Sequence, residues 1–181
     1  IGTHNMRSFG NISPKITFFT KYLREAGYYT ANIGKHDFNM IAPEGAWDET
    51  NNNNRVQNWD RTAYFQETNG EKPFFSIINL FNSHESRVRR DMENQTRDLS
   101  RTKHNPDALI IPSYYPDALQ IRQVMAQYYD NVGDIDSALS GILETLVSDG
   151  LAEDTIIFFF SDHGTGVPRS KRSPYNSGLH V

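Results

Sequence analysis

Thr155-Ile156-Ile157-Phe158-Phe159-Phe160-Ser161-Asp162-His163-Gly164 is the stretch whose reading decides the fold. An unbroken apolar run ends abruptly in a carboxylate, an imidazole and a glycine. Without polar alternation the run reads as a strand buried on both faces, the condition of a parallel strand covered by helices. In open α/β sheets ligands collect beyond the carboxyl ends of the strands, so Asp162 and His163 stand where chemistry is done. Asp and Gly are also common turn residues, so an ordinary strand-to-loop turn is the plain alternative, and these ten residues alone favour a site only modestly.

Working outward, the segment upstream predicts a long helix over 117–148. Ile121, Val124, Met125, Tyr128, Val132, Ile135, Leu139, Ile142, Leu143 and Leu146 recur on one face at three- and four-residue steps. Gly133 and Gly141 weaken that helix and predict a bend, and Asp149-Gly150 ends it. Helix, short loop and buried strand form an α/β unit. Downstream, 165–181 reads as a loop rich in Gly, Pro and Ser that carries Arg169, Lys171, Arg172 and His180.

Two earlier strands repeat the pattern. Ser13-Pro14 predicts a helix start, with Ser as N-cap and Pro at the first helical position. Ile16, Phe19, Tyr22, Leu23 and Ala26 line its face and Gly27 stops it. The stretch 28–33, rich in aromatic and β-branched residues, then predicts a strand delivering Gly34-Lys35-His36-Asp37 to a loop. Residues 39–70 read mostly as loop, with a short helix near 61–67. After Lys72-Pro73, the apolar stretch 74–81 predicts another strand, ending at Asn82-Ser83-His84-Glu85. The charged segment 88–104 reads as a solvated surface, and 1–10 as a loop with His4, Asn5 and Arg7.

Composition excludes several classes. With 18 basic against 22 acidic residues and a net charge of -4, the chain offers no broad positive field to a phosphate backbone, which argues against nucleic acid as a partner. No run approaches the roughly 18 apolar residues of a membrane span. The absence of cysteine rules out disulfides and thiolate metal sites within these 181 residues. A first residue Ile1 rather than Met, and a last residue Val181 directly after a loop, read as a piece of a longer protein. No internal repeat or linker divides it.

Three predicted strand ends thus supply Lys35-His36-Asp37, His84-Glu85 and Asp162-His163, and the last loop adds Arg169, Lys171 and Arg172. Asp162 offers a hard oxygen suited to Ca²⁺ or Mg²⁺, and His163 an imidazole suited to Zn²⁺ or Mn²⁺. Lys35, Lys171 and His84 suit a tetrahedral oxyanion and the protonation of a leaving oxygen. Singly, a histidine is more often structural and a lysine more often solvated. Their recurrence at successive strand ends favours a site.

The ordered set resembles the sulfatases of the alkaline-phosphatase-like superfamily, including sulfamidase-like and bacterial polysaccharide sulfatases. Its members here are Ala26-Gly27-Tyr28-Tyr29-Thr30 leading to Ile33-Gly34-Lys35, then Lys72-Pro73-Phe74-Phe75 leading to His84, and Tyr128-Tyr129-Asp130-Asn131-Val132. Gly150-Leu151-Ala152-Glu153-Asp154-Thr155 follows, leading into Ser161-Asp162-His163-Gly164, with Lys171 four residues before Tyr175. The resemblance implies an α/β fold with a mixed, mostly parallel sheet and helices on both faces, of which 1–181 is the central, incomplete part of the catalytic domain. It implies hydrolysis of a sulfate ester or sulfamate, on a carbohydrate or another sulfated small molecule.

By the same resemblance Asp162 matches a calcium-binding aspartate, and His163 falls where many members have a metal-binding Asn. Lys35 and Lys171 match sulfate-holding lysines, and His84 the histidine that assists the leaving group. His4, Asp37, Arg172 and His180 are the substrate-binding candidates, although Asp37 stands where a histidine is frequent and His180 where an arginine is. Calcium is the implied metal, with Mg²⁺ or Mn²⁺ as alternatives. The implied nucleophile is a formylglycine made from a C/S-x-P-x-R motif, which these residues do not contain and which is expected before Ile1. A periplasmic, extracellular or lysosomal setting is implied too. Two rivals stay open: a phosphatase, phosphodiesterase or phosphonate hydrolase of the same superfamily, and a non-catalytic binder of sulfated glycans.

Overall fold

The computed structural model describes residues 10–36, 38–53, 61–88, 102–171, 173 and 175–179. The chain divides into two units, Ile1–Phe81 and Asn82–Val181.

The first unit is built on β1 (Tyr29–Ile33), buried along its whole length. It pairs in parallel with β2 (Glu49–Asn51) on one side and β3 (Phe74–Ile78) on the other, giving the order β2-β1-β3. A central parallel strand covered on both faces should be enclosed, and Ala31 and Ile33 are fully so, at 0% exposure. Tyr64 of α2 (Arg61–Thr68) closes one side, its ring set edge-on to Tyr29 at 5.4 Å and to Phe74 at 5.8 Å. Its hydroxyl donates to the Lys72 carbonyl at 2.6 Å, so a buried polar tip keeps a partner.

Asp48, just before β2, ties the strand to the preceding helix α1 (Phe19–Glu25). Its carboxylate accepts from Thr30 N at 2.8 Å and Thr30 Oγ1 at 3.0 Å, and from Arg24 Nε at 2.8 Å. The parallel sheet, with α1 before it and α2 between β2 and β3, is the α/β class that the sequence predicts, though a three-stranded sheet is all that forms among the described residues.

The second unit centres on α3 (Leu119–Ser148), a continuous helix where Gly133 and Gly141 predict a bend. Its end is a Schellman arrangement, with Gly150 N donating to Val147 O and Leu151 N to Leu146 O, both at 3.0 Å. Gln127, Asp130 and Asn131 form a buried polar ridge on it. Gln127 Nε2 donates to Asn131 Oδ1 at 2.9 Å. Asp130 accepts from Lys103 N at 2.8 Å, His104 N at 3.0 Å and His104 Nδ1 at 2.7 Å, clasping the segment before the helix. Burial alone would push the Asp130 carboxyl up, but those three donors outweigh it and hold it below the ordinary carboxylate value. A short helix, α4 (Asn176–Leu179), interrupts the final loop.

Three sequence expectations need correction. The run 155–160 is not a buried strand: it joins no β-ladder, and Ile156, Phe158 and Phe160 are 83%, 82% and 77% exposed. Apolarity states what a segment gains by burial, whereas a strand also needs neighbouring backbone donors and acceptors. Among the described residues its own unit supplies no strand to pair with. Next, the first helix starts at Phe19, not at Ser13-Pro14. Ser13 O instead accepts from Ile16 N at 2.8 Å, a turn, and Phe18 is extended (φ -66, ψ 140), which breaks any helix running through it. Last, the strand read over 74–81 ends at Ile78.

Candidate active site

In the first unit, the loop after β1 is locked at its first residue. Gly34 N donates to Asn51 O at 2.6 Å, and Asn79, just past β3, donates from its backbone N to Ile33 O at 3.0 Å. Asn79 Nδ2 reaches Ile33 O at 3.1 Å and Lys35 O at 3.4 Å. Lys35 is thereby held at the end of the central strand, half-buried. His36 turns back onto its own strand, with Nε2 3.0 Å from Asn32 O and its ring stacked on Phe38 at 6.2 Å. A cavity of about 750 Å³ in this unit, lined among others by Ile16, Phe18, Lys21 and Ile41, contains none of the predicted site residues.

In the second unit, His84 and Lys171, 87 residues apart in sequence, meet with Nε2 and Nζ 3.5 Å apart. Glu85 lies 4.0 Å from the same ammonium, and both side chains of that pair are largely buried. Ser86 governs the other ring nitrogen: its Oγ is 2.8 Å from His84 Nδ1, and its backbone N donates to that atom at 3.2 Å. Ser86 Oγ can accept a proton from Nδ1 and Ser86 N can donate to it, so this residue holds the orientation of the ring in either tautomer. An ammonium and an imidazole meeting beside the Glu85 carboxylate are groups of the kind that hold an oxyanion.

The loop carrying Lys171 is tightly folded. Lys171 N donates to Thr165 O at 3.1 Å, and Thr165 Oγ1 donates to Ser170 Oγ at 2.7 Å. Gly166 packs so closely on Glu85 that an added Cβ would lie 2.9 Å from its backbone. That contact draws the loop to the His84-Glu85 corner.

Asp162 and His163 sit together, Oδ2 to Nε2 at 3.1 Å, with side chains 69% and 38% exposed. His163 Nδ1 is buried and has no hydrogen-bond partner among the described residues. One ring nitrogen on a carboxylate and the other with no partner is how a metal-ligating histidine is oriented. By donor type the two suit a divalent cation, and with Asp162 Oδ2 engaged by Nε2 the donors left to contribute are the other Asp162 oxygen and His163 Nδ1. No group of three or more His, Asp or Glu that could hold an ion occurs among the described residues.

The structure therefore brings His84 to Lys171 and Asp162 to His163, and holds Lys35 at the end of β1. His4, Asp37, Arg172 and His180 lie outside the described residues. Sequence reasoning missed Glu85 as the ammonium's partner, Ser86 as the group that orients the His84 ring, and a cation–π clamp around Arg169. The guanidinium carbon of Arg169 lies 4.9 Å from the Tyr114 ring and 4.6 Å from the Tyr175 ring. The Tyr114-Tyr115 pair between two prolines was the available signal.

A family model described as Sulfatase matches residues 2–181. The ulvan-active sulfatase of Formosa agariphila is 31% identical over 195 aligned positions, which cover 92% of this chain and 31% of that protein. The endo-4-O-sulfatase of Bacteroides thetaiotaomicron is 26% identical over 180 positions, covering 84% of the chain and 35% of that relative. Human N-sulphoglucosamine sulphohydrolase is 27% identical over 81 positions, covering 45% and 16%. The chain thus spans 31% and 35% of the length of the first two relatives.

Proposed function

The chain belongs to the sulfatase family, and on that footing we propose that its parent protein hydrolyses a sulfate ester or sulfamate on a carbohydrate. Membership implies the alkaline-phosphatase-like α/β fold, of which the three-stranded parallel sheet is a part. The relatives' names point to the substrate class: ulvan, a 4-O-sulfate and N-sulphoglucosamine.

The observation that carries the reading is the meeting of Lys171 and His84 beside Glu85. In this reading the Lys171 ammonium binds a sulfate oxygen as a compact point charge. Glu85 holds the ammonium in place and limits the net charge that the fold must bury around it. His84 in its doubly protonated form would give the Nε2 proton to the leaving ester oxygen and end as neutral imidazole, with Nδ1–H donating to Ser86 Oγ so that the ring keeps its orientation. The resemblance extends the sulfate-binding role to Lys35 of the first unit.

Asp162 and His163 would donate to a divalent cation, calcium first and Mg²⁺ or Mn²⁺ as alternatives. When bound, such an ion supplies positive charge to the sulfate oxygens. A formylglycine made from a C/S-x-P-x-R motif, which these 181 residues do not contain, would supply the nucleophile. The proposed setting is periplasmic, extracellular or lysosomal, and no helix among the described residues is long and apolar enough to cross a membrane.

The test is release of inorganic sulfate by the full-length protein from ulvan, a 4-O-sulfated glycan, N-sulphoglucosamine and an aryl sulfate. Mass spectrometry establishes beforehand that the nucleophile is modified. Release from at least one substrate is expected. Glycan binding without any release would make the protein a binder, and turnover of aryl phosphate alone would make it a phosphoryl hydrolase.

A further inference from the structure

We propose that Arg169, gripped between Tyr114 and Tyr175, is a positioning residue that sets Lys171 against His84, an inference that rests on Lys171 holding the oxyanion. Arg169 adopts φ +66, the left-handed region that a long L side chain rarely occupies. Such backbone persists where the surroundings over-determine it, and it clusters at functional sites. Here the surroundings are visible. Its guanidinium carbon lies 4.9 Å from one ring centroid and 4.6 Å from the other, both within cation–π range. The preceding carbonyl, Pro168 O, accepts from the Tyr115 hydroxyl, so backbone and side chain are held by adjacent tyrosines.

Those tyrosines are anchored in turn. The segment that carries them follows a 3-10 turn, Pro106–Ala108. Arg122 of α3 donates to the carbonyls of Pro106, Asp107 and Leu109 at 3.0, 3.3 and 3.1 Å. Arg122 is itself steadied by Asp117, whose carboxyl it holds below the ordinary value. Downstream of the clamp, Ser170 is buried at 3% exposure, with Gly178 of α4 packed against its carbonyl. The clamp thus links the long helix to the residue two places before Lys171. A lysine side chain has four rotatable bonds and a strongly hydrated head, so its position depends on where its backbone is held. The left-handed turn at Arg169 redirects the chain so that Lys171 N meets Thr165 O and Nζ meets His84.

The experiment is a double-mutant cycle in the full-length protein, read by calorimetric binding of inorganic sulfate and by kcat/KM on an aryl sulfate. Arg169→Ala and Tyr175→Leu should each weaken sulfate binding about tenfold, within the coupling range of neighbouring residues. Tyr175→Phe, which keeps the ring, should bind like the wild type. In a Lys171→Ala background, Arg169→Ala should change sulfate affinity less than about twofold, as expected when both act through one group. Equal losses in both backgrounds, or equal behaviour of Tyr175→Phe and Tyr175→Leu, would overturn the positioning role. If Lys171→Ala alone keeps wild-type sulfate affinity and kcat/KM, the role of Lys171 itself fails. Should Arg169→Ala not fold, the two Tyr175 variants decide.

Discussion

Lys171 Nζ stands 3.5 Å from His84 Nε2, two nitrogens brought together across 87 residues of chain. If Nε2 is the proton donor to the departing oxygen, its worth depends on how badly that oxygen needs a proton. His84→Ala should lower kcat on a sugar sulfate by about 10²–10⁴-fold, the usual range for a general acid. On an aryl sulfate with an acidic phenol it should lower kcat far less. Steady-state kinetics on both substrates check this, and equal losses would remove the proton-donor role.

Asp162 offers a carboxylate that is 69% exposed, with His163 Nε2 at 3.1 Å. In the full-length protein, Asp162→Ala should abolish the heat of calcium binding after chelator dialysis, and Asp162→Asn should reduce it. An unchanged calorimetric titration would take Asp162 out of the metal shell.

Asp130 clasps Lys103 and His104 with three hydrogen bonds. Asp130→Ala removes the acceptor of two part-buried backbone donors on exposed residues, which should cost roughly 0.5–1.5 kcal/mol for each hydrogen bond lost. The native carboxyl titrates below its ordinary value. Its stabilisation is therefore present above the unfolded pKa of about 3.9 and lost as pH falls through the folded value beneath it. Urea unfolding at several pH values should show the gap between wild type and Asp130→Asn shrinking below about pH 4. A gap independent of pH would contradict the assignment.

Gly34 and Gly133 should respond oppositely to alanine. At Gly34, φ is +99 and an added Cβ would meet Asn79 O at 2.9 Å, so Gly34→Ala should destabilise by roughly 1–3 kcal/mol. At Gly133 of α3 a Cβ meets nothing within 4 Å, so Gly133→Ala should stabilise by up to about 1 kcal/mol. Denaturant midpoints measure both, and shifts of the same sign would mean that one of the two environments is wrong.

What the sequence disclosed followed how far each pattern is local. α3 was readable because its apolar face repeats through 30 residues and ends in a glycine, and β1 because Tyr29, Thr30 and Ile33 are aromatic or β-branched. The short strand β2, Glu49–Asn51, lies in a stretch read as loop. Polar side chains carry no strand signal there, and only its backbone pairing with Ala31, Asn32 and Ile33 defines it. At the site, residue types predicted His84, Lys171, Asp162 and His163, and the structure pairs them two by two. Their supports were not readable. Glu85 on Lys171 and Tyr114 on Arg169 act between segments far apart in sequence, and Ser86 acts through a side-chain contact two residues from His84; no periodicity encodes either kind.

The open run at 156–160 bears on handling the chain at the bench. Five neighbouring apolar side chains, without a charge or a proline among them, face outward. Segments of this composition stack copy upon copy into layered sheets, since each strand offers the next an unused row of amides and carbonyls. Protein concentration would then set the shelf life of the isolated 181-residue chain. Placing a lysine at Phe158 should keep it monodisperse without touching His84, Lys171 or Asp162.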